Sequence, residues 1–323
     1  MPYCSVVKGY GGYLPKRIIT NQEIQNKIDT SDSWIRERTG ISQRHVVEEN
    51  ELTSDLGTKA GLQALEIAQL QGLDLECIIV ATTTPDHALP ATATKIQANL
   101  KAKKAFAFDV QAVCSGFVYA LSVADSFIRS GQVKNALVIG TEAMSKLLDW
   151  NDRSTCILFG DGAGAVVLEA ALENSSSSQG VLSTHLFSDG DHYEWLYAES
   201  ASGDQGKTSY IRMEGREIFK NAVSKIGQAI TKALIHNNLK ASDIDWFVPH
   251  QANERIIKGV CGHFSIPEEK MILTIDQHAN TSAASIPLAL NKAARDGRIQ
   301  PGHLVLIEAM GGGLTWGSAL IRW

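Results

Sequence analysis

Apolar positions alternate along this chain between short unbroken runs and stripes spaced every three to four residues. Residues 6–13 read as a Gly-rich opening strand and turn. Cys77-Ile78-Ile79-Val80-Ala81, residues 136–140 and Asp245-Trp246-Phe247-Val248 have the length and apolarity of buried strands. Between such runs Leu56, Ala60, Ala64 and Ala68 recur every four residues, one helical stripe capped by Thr53 or Ser54 and closed by Gly72. Ile218, Ala222, Ile226, Ile230 and Leu234 mark a longer helix in the same way. Asn21 and Gln22 open a helical stretch that leads to Gly40, a short helix covers residues 92–100, and residues 181–187 resemble a strand. Strands alternate with helices, which predicts an α/β fold with largely parallel sheets.

One join stands out. Phe106-Ala107-Phe108-Asp109-Val110 reads as a strand, and residues 117–128 as a helix closed by Gly131. Cys114 lies between them. A thiol at a helix start meets the positive end of the macrodipole and unpaired N–H groups, which favour the thiolate. A packed core cysteine is the plain alternative.

The pattern then repeats. Residues 108–140 run strand, helix, Ser130-Gly131-Gln132-Val133, strand; residues 274–306 run strand, helix, Asp296-Gly297-Arg298-Ile299, strand. Gly297 follows Gly131 by 166 positions, and Asn280 follows Cys114 by the same interval. Residues 75–80 resemble 244–248, and the turn and strand at 160–168 resemble 311–320. An internal duplication accounts for all of this. The polar, Ser-rich stretch Glu173-Asn174-Ser175-Ser176-Ser177-Ser178-Gln179-Gly180 divides the halves, giving units 1–172 and 180–323. Residues 203–207 read as an exposed loop.

Composition narrows the function. The 323 residues are 44% hydrophobic and 20% charged, enough for a sizeable core. A net charge of −5 argues against a general nucleic-acid binder. The five cysteines are odd in number and form no C-x-x-C pair, so a reducing cytoplasm is expected and neither a disulfide framework nor a zinc site. No apolar run reaches the roughly 20 residues of a membrane helix, and no signal peptide is evident. Residues 160–164 carry glycines ahead of a strand, not a helix, so they are no dinucleotide fingerprint.

The duplication brings Cys114 and Asn280 to equivalent joins, where a pseudo-twofold axis lets them face each other. His250 ends a buried strand in the second half. Polar groups at the ends of buried strands converge where α/β sheets bind ligands. A Cys, a His and an Asn together suit acyl transfer through a thioester, or hydrolysis in which Asn orients His. The surroundings of Cys114 lack the Cys-Gly-Ser-Cys-Trp setting of papain-like enzymes.

Val113-Cys114-Ser115-Gly116-Phe117, His250-Gln251-Ala252-Asn253, Asn280-Thr281-Ser282-Ala283-Ala284-Ser285 and Gly311-Gly312-Gly313-Leu314-Thr315-Trp316-Gly317-Ser318-Ala319 together resemble β-ketoacyl-acyl-carrier-protein synthase III. That family belongs to the thiolase-like superfamily, and the resemblance spans essentially the whole chain. It implies a layered αβαβα fold with two pseudo-symmetric halves and a homodimer in the cytoplasm. It also implies decarboxylative Claisen condensation of an acyl-CoA primer with malonyl-acyl-carrier-protein, the start of fatty-acid synthesis. Cys114 takes the acyl group in this reading, while His250 and Asn280 stabilise the enolate. Backbone N–H groups of Cys114 and of the 311–313 loop form the oxyanion hole. No metal or redox cofactor is implied, and acyl-CoA is a substrate. A related acyltransferase of secondary metabolism, with the same trio and another acceptor, is the alternative.

The same matching assigns further roles. Thr30, Trp34, Arg38, Arg153, Gly215, Phe219, Ala252 and Asn253 fall where the family contacts coenzyme A or its pantetheine arm. Lys220, Arg255 and Lys258 fall where it receives the acyl carrier protein. Leu89 falls near a position that limits acyl length from across the dimer, where a leucine leaves room for longer or branched primers. Two departures stand out: Cys261-Gly262-His263 replaces a common lysine pair, and His278-Ala279 replaces a frequent Tyr-Gly or Phe-Gly pair.

Overall fold

A computed structural model describes residues 3–172, 179–198 and 210–323. The sequence-predicted loop at 203–207, and all but the last two residues of the Ser-rich divider, lie outside the described residues.

Two mixed sheets organise the chain. The first runs in the order Tyr3–Tyr13, Asp161–Leu172, Asn135–Ala143, Cys77–Ala81, Phe106–Val110. Its first two pairings are antiparallel and its last two parallel. The second sheet runs Gly180–Ser188, Thr315–Arg322, Leu304–Gly311, Trp246–Pro249, again with two antiparallel pairings followed by a parallel one. Helices Gly116–Arg129 and Ser285–Arg295 lie between the sheets, and residues of both sheets join them in one core. Thr53–Ala68 and Thr92–Asn99 cover the outer face of the first sheet. Gly215–His236 and Glu254–Phe264 cover the outer face of the second. The result is five layers, αβαβα.

This layering explains the unbroken apolar runs. Every residue of Cys77–Ala81 and of Asn135–Ala143 is buried, because helices cover both faces. It also explains the alanine stripe. A Cβ on Gly9 or Gly11 would stand 2.1 Å from the carbonyl of Ala64 or Ala60, so small residues on both sides let helix and strand touch backbone to backbone.

Three expectations are corrected. The sheets are mixed, not largely parallel: four of their seven strand pairings are antiparallel. The helical stretch after Asn21 divides into Asn21–Gln25 and Asp32–Thr39, because the Ser31 hydroxyl caps a new helix at the Trp34 N–H. No strand begins at Thr274. The N–H groups of Thr274 and Ile275 bond the Gln251 side-chain oxygen at 2.8 and 3.1 Å, and Ile275–His278 is a short helix. The fifth place in the second sheet is held only by a parallel bridge between Met271 and Phe247.

The internal register also shifts. Val113 and Ser282 have matching positive φ values of 48° and 50°, and each opens a three-residue turn before a central helix. They lie 169 positions apart, as do Ile78 and Phe247 in equivalent parallel strands. Cys114 therefore matches Ala283, and Asn280 matches Gln111. The 166-residue interval holds at the closing turns of the central helices, Gly131 and Gly297, because the first helix has 14 residues and the second 11; in the strands that follow, Leu137 and Leu306 are again 169 apart.

Among the described residues no helix is long and apolar enough to cross a membrane.

Candidate active site

Cys114 sits in the turn Val113–Ser115, immediately before helix Gly116–Arg129. His250 directly follows strand Trp246–Pro249. Asn280 follows the short helix Ile275–His278 and bridges to Phe159, its N–H bonding the Leu158 carbonyl at 2.9 Å and its carbonyl accepting the Gly160 N–H at 3.0 Å. Three separate strand or helix ends thus bring Cys114, His250 and Asn280 into the wall of one cavity of about 110 Å³.

Each side chain is fixed from behind. His250 Nδ1 lies 2.6 Å from the buried Ser285 hydroxyl, while Nε2 is buried without a protein partner on the cavity side. Ser285 Oγ also accepts the Gln251 N–H at 3.4 Å; with the Ser285 proton turned to Nδ1, the ring proton is on Nε2. Burial drives the His250 pKa down to about 3, so the ring is neutral. Gln251 is a buried staple: its amide donates to the carbonyls of Pro249 and Ile272, at 2.8 and 3.2 Å. Asn280 Oδ1 accepts the Ser282 N–H at 2.9 Å, which turns the amide NH₂ away from that bond.

Cys114 stands at the start of helix Gly116–Arg129, and burial works against its ionisation there. Burial pushes its thiol up to about 12, and the Glu142 charge adds to this against the Ser282 hydroxyl, which favours the thiolate. A Cβ on Gly311 would stand 2.6 Å from the Cys114 nitrogen. Glycine at 311 keeps side-chain atoms off that N–H.

The other assigned residues divide into three groups. Gly215, Phe219, Ala252 and Asn253 line the same cavity as the trio. Thr30, Trp34, Arg38 and Arg153 do not line it; they form a patch beside it. The guanidinium carbons of Arg153 and Arg38 lie 5.0 and 5.7 Å from the Trp34 ring centre, and Arg153 donates to the Asp29 carbonyl at 2.9 Å. Thr30 Oγ1 is buried without a partner. Asn253 joins patch and cavity by donating its side-chain N–H to the Arg38 carbonyl at 3.0 Å.

On the surface, Lys220 and Lys258 are each paired at 2.9 Å with a carboxylate of their own helix, Glu217 and Glu254. Arg255 stacks 5.3 Å over the Phe219 ring. Leu89 is 82% exposed and is not part of the cavity wall. Cys261 is buried against Met271, and His278 is buried with its pKa pushed down to about 4.

Sequence reasoning missed the apolar part of the wall: Leu158, Leu196, Met213, Ile218, Ile256, Met310 and Leu314. They sit in ordinary apolar stretches and carry no signal of their own. Ser282 and Ser285 lie in the quoted Asn280–Ser285 motif without a role assigned to them, and Glu142 was silent.

The fold defines the thiolase-like class of acyltransferases. Residues 108–190 match the model of 3-oxoacyl-[acyl-carrier-protein (ACP)] synthase III, and residues 234–323 match its C-terminal model. A β-ketoacyl-[acyl-carrier-protein] synthase III of Paramagnetospirillum magneticum is 59% identical over 98% of both chains. The crystal structure of 3-oxoacyl-[acyl-carrier-protein] synthase III from Aquifex aeolicus superposes with a TM-score of 0.93 at 45% identity, over 99% of this chain and 100% of the other. That of the Pseudomonas aeruginosa enzyme gives 0.93 at 38%, over 99% and 98%. The chain belongs to the 3-oxoacyl-[acyl-carrier-protein] synthase III family, a family of condensing enzymes.

Proposed function

We propose that this chain condenses an acyl-CoA primer with malonyl-acyl-carrier-protein, with loss of carbon dioxide, to give the β-ketoacyl-acyl-carrier-protein that begins fatty-acid synthesis. The observation that carries the reading is the shared cavity wall of Cys114, His250 and Asn280, within a fold matched over its whole length. The sulfur of Cys114 attacks the acyl thioester, and the coenzyme A thiolate leaves. Malonyl-acyl-carrier-protein then enters. His250 Nε2–H and the Asn280 amide donate to its thioester carbonyl and hold the enolate formed as the carboxylate leaves. The carbanion attacks the acyl-Cys114 carbonyl, whose oxygen is met by the backbone N–H of Cys114 beside Gly311. Each step places charge on an oxygen, and preorganised donors meet it, so the chemistry calls for no metal or redox cofactor.

The wider assignments follow from position. Trp34 between two guanidinium groups suits an adenine ring and its phosphates. Gly215, Phe219, Ala252 and Asn253 suit the pantetheine arm, with Thr30 at the edge of the patch. Lys220, Arg255 and Lys258 receive the acidic carrier protein, the two lysines exchanging an intrachain carboxylate for one on the partner. The halves 1–172 and 180–323 divide the work, the first supplying the nucleophile and the second the enolate-binding pair. Strand Phe106–Val110 is an edge strand, its first residue Phe106 is 40% exposed and Leu89 protrudes, all of which support a homodimer across that edge with Leu89 reaching the partner's acyl pocket. Free cysteines throughout support a reducing cytoplasm.

The test separates the two half-reactions. His250→Ala and Asn280→Ala accept an acyl group but fail to discharge it with malonyl-carrier protein, whereas Cys114→Ala accepts none and still decarboxylates malonyl-carrier protein. Discharge of the adduct only by a different acceptor would move the chain to specialised acyl transfer.

A further inference from the structure

The trio leaves one proton without an acceptor. Cys114 must lose its proton to attack. In the proposed reaction His250 presents Nε2–H as a donor, with Nδ1 on the Ser285 hydroxyl, and burial holds its ring neutral. A buried acid stands behind the nucleophile instead.

Glu142 lies near the end of strand Asn135–Ala143 and is fully buried. Its carboxyl accepts from Thr82 Oγ1 at 3.2 Å, the Thr83 N–H at 3.0 Å and Thr84 Oγ1 at 2.7 Å, all in the loop after strand Cys77–Ala81. From the other half of the chain, Ser282 Oγ donates to Oε1 at 3.0 Å. Thr82 Oγ1 itself accepts the Thr84 N–H, and Thr84 Oγ1 the Ala143 N–H, so both hydroxyl protons are left for the carboxyl. These donors surround an anionic acceptor. Burial raises its pKa against them, making it a stronger base than a surface glutamate. The titratable group facing it is Cys114, whose ionisation the Glu142 charge opposes. Ser282 occupies the turn Ser282–Ala284, which packs on the turn Val113–Ser115 that carries Cys114. Its hydroxyl donates to Glu142, and its side chain lies close enough to Cys114 to favour the thiolate.

We propose that Glu142 takes the Cys114 proton through the Ser282 hydroxyl during acylation and returns it when Cys114 is released. The inference rests on the condensing reaction proposed above. The S–H proton passes to Ser282 Oγ as the Ser282 O–H proton passes to Glu142 Oε1. The sulfur bonds the acyl carbon, the carbon–sulfur bond to coenzyme A breaks, and the departing thiolate takes a proton from water. Thr83 Oγ1 lies 3.0 Å from Oε1 and 3.1 Å from Oε2, so it can turn to Oε2 when Oε1 is protonated. When the carbanion displaces Cys114 as a thiolate, the same path in reverse restores the thiol. Ser282 and Glu142 are absent from the cavity wall and act as positioning residues, not through contact with substrate.

Single-turnover acylation by acetyl-CoA, read as the mass of the Cys114 adduct across pH, tests this. In the wild type the rate rises with pH and levels once Glu142 is ionised. In Glu142→Gln it falls about 100-fold at pH 7 and climbs with pH without levelling, because hydroxide replaces the lost acceptor. Ser282→Ala shows the same loss, the double variant is no slower than the slower single one, and Glu142→Asp recovers part of the rate. Malonyl-carrier-protein decarboxylation, which uses His250 and Asn280, stays within about threefold of wild type in Glu142→Gln. Alkylation of Cys114 by iodoacetamide over the same pH range gives a donor-independent reading with the same contrast. Superimposable wild-type and Glu142→Gln profiles would overturn the relay. So would equal losses in acylation and decarboxylation with additive effects in the double variant. A wild type that is alkylated but accepts no acyl donor would contradict the condensing reaction instead, and the alkylation profiles would then decide the relay.

Discussion

His250 Nδ1 and the Ser285 hydroxyl lie 2.6 Å apart in a buried contact that joins the end of one strand to the start of a central helix. This bond decides which ring nitrogen carries the proton toward the cavity. Ser285→Ala strands a buried acceptor and frees the tautomer. Malonyl-carrier-protein decarboxylation is expected to fall about 10- to 100-fold, with about 1–3 kcal/mol lost from stability. Acylation of Cys114, which does not use the Nε2–H in this way, is expected to change far less. Equal losses in the two half-reactions would contradict the assignment.

Gly311 stands where any side chain would cover the Cys114 N–H, its Cβ 2.6 Å from that nitrogen. Gly311→Ala is expected to slow both acylation and condensation about 100- to 1000-fold, the cost of losing an oxyanion donor. A melting temperature near wild type, measured beside the rates, separates this from misfolding. Wild-type rates in a folded variant would remove the oxyanion role.

Ala279 occupies φ 57°, ψ −161°, a conformation that suits glycine. It directly precedes Asn280. Ala279→Gly is expected to stabilise the protein by about 1 kcal/mol, or about 2 °C in melting temperature. Calorimetry checks this, and a lower melting temperature would mean that the neighbouring packing of Ala279 outweighs its backbone strain.

Glu308 is buried in strand Leu304–Gly311, and burial alone pushes its carboxyl up to about 8 from an ordinary value of 4.5. The unfolded chain releases this proton above pH 4.5, while the folded chain keeps it until about 8. The contribution to stability is therefore fully present below pH 4.5 and is lost as pH rises through about 8. Glu308→Gln, which stays neutral, should gain melting temperature relative to wild type steadily from pH 5 to 8. A difference that does not vary with pH would contradict the burial argument.

The α/β alternation was legible because both sheets are covered on both faces, so strands such as Cys77–Ala81 read as unbroken apolar runs; the αβαβα layering came from the family resemblance. The duplication was legible for the same reason, but its register was not. Three residues fewer in the second central helix moved the apparent partner of Cys114 from Ala283 to Asn280. A lost helical turn leaves no mark in a hydrophobic stripe. Cys114, His250 and Asn280 were readable because each is a reactive or polar residue at the end of an apolar run. Ser282 and Glu142 were not, since their importance comes from contact between the halves. The helix start at Cys114 is visible in sequence, and the burial that opposes its ionisation is not.

The most direct test is the intact mass of the protein after incubation with acyl-CoA donors, then with malonyl-carrier protein. The wild type is predicted to gain one acyl group, to lose it on adding malonyl-carrier protein, and to leave the carrier heavier by a β-ketoacyl group; Cys114→Ala gains nothing. A wild type that stays unmodified with every donor, or an adduct that persists in Cys114→Ala, would contradict the account.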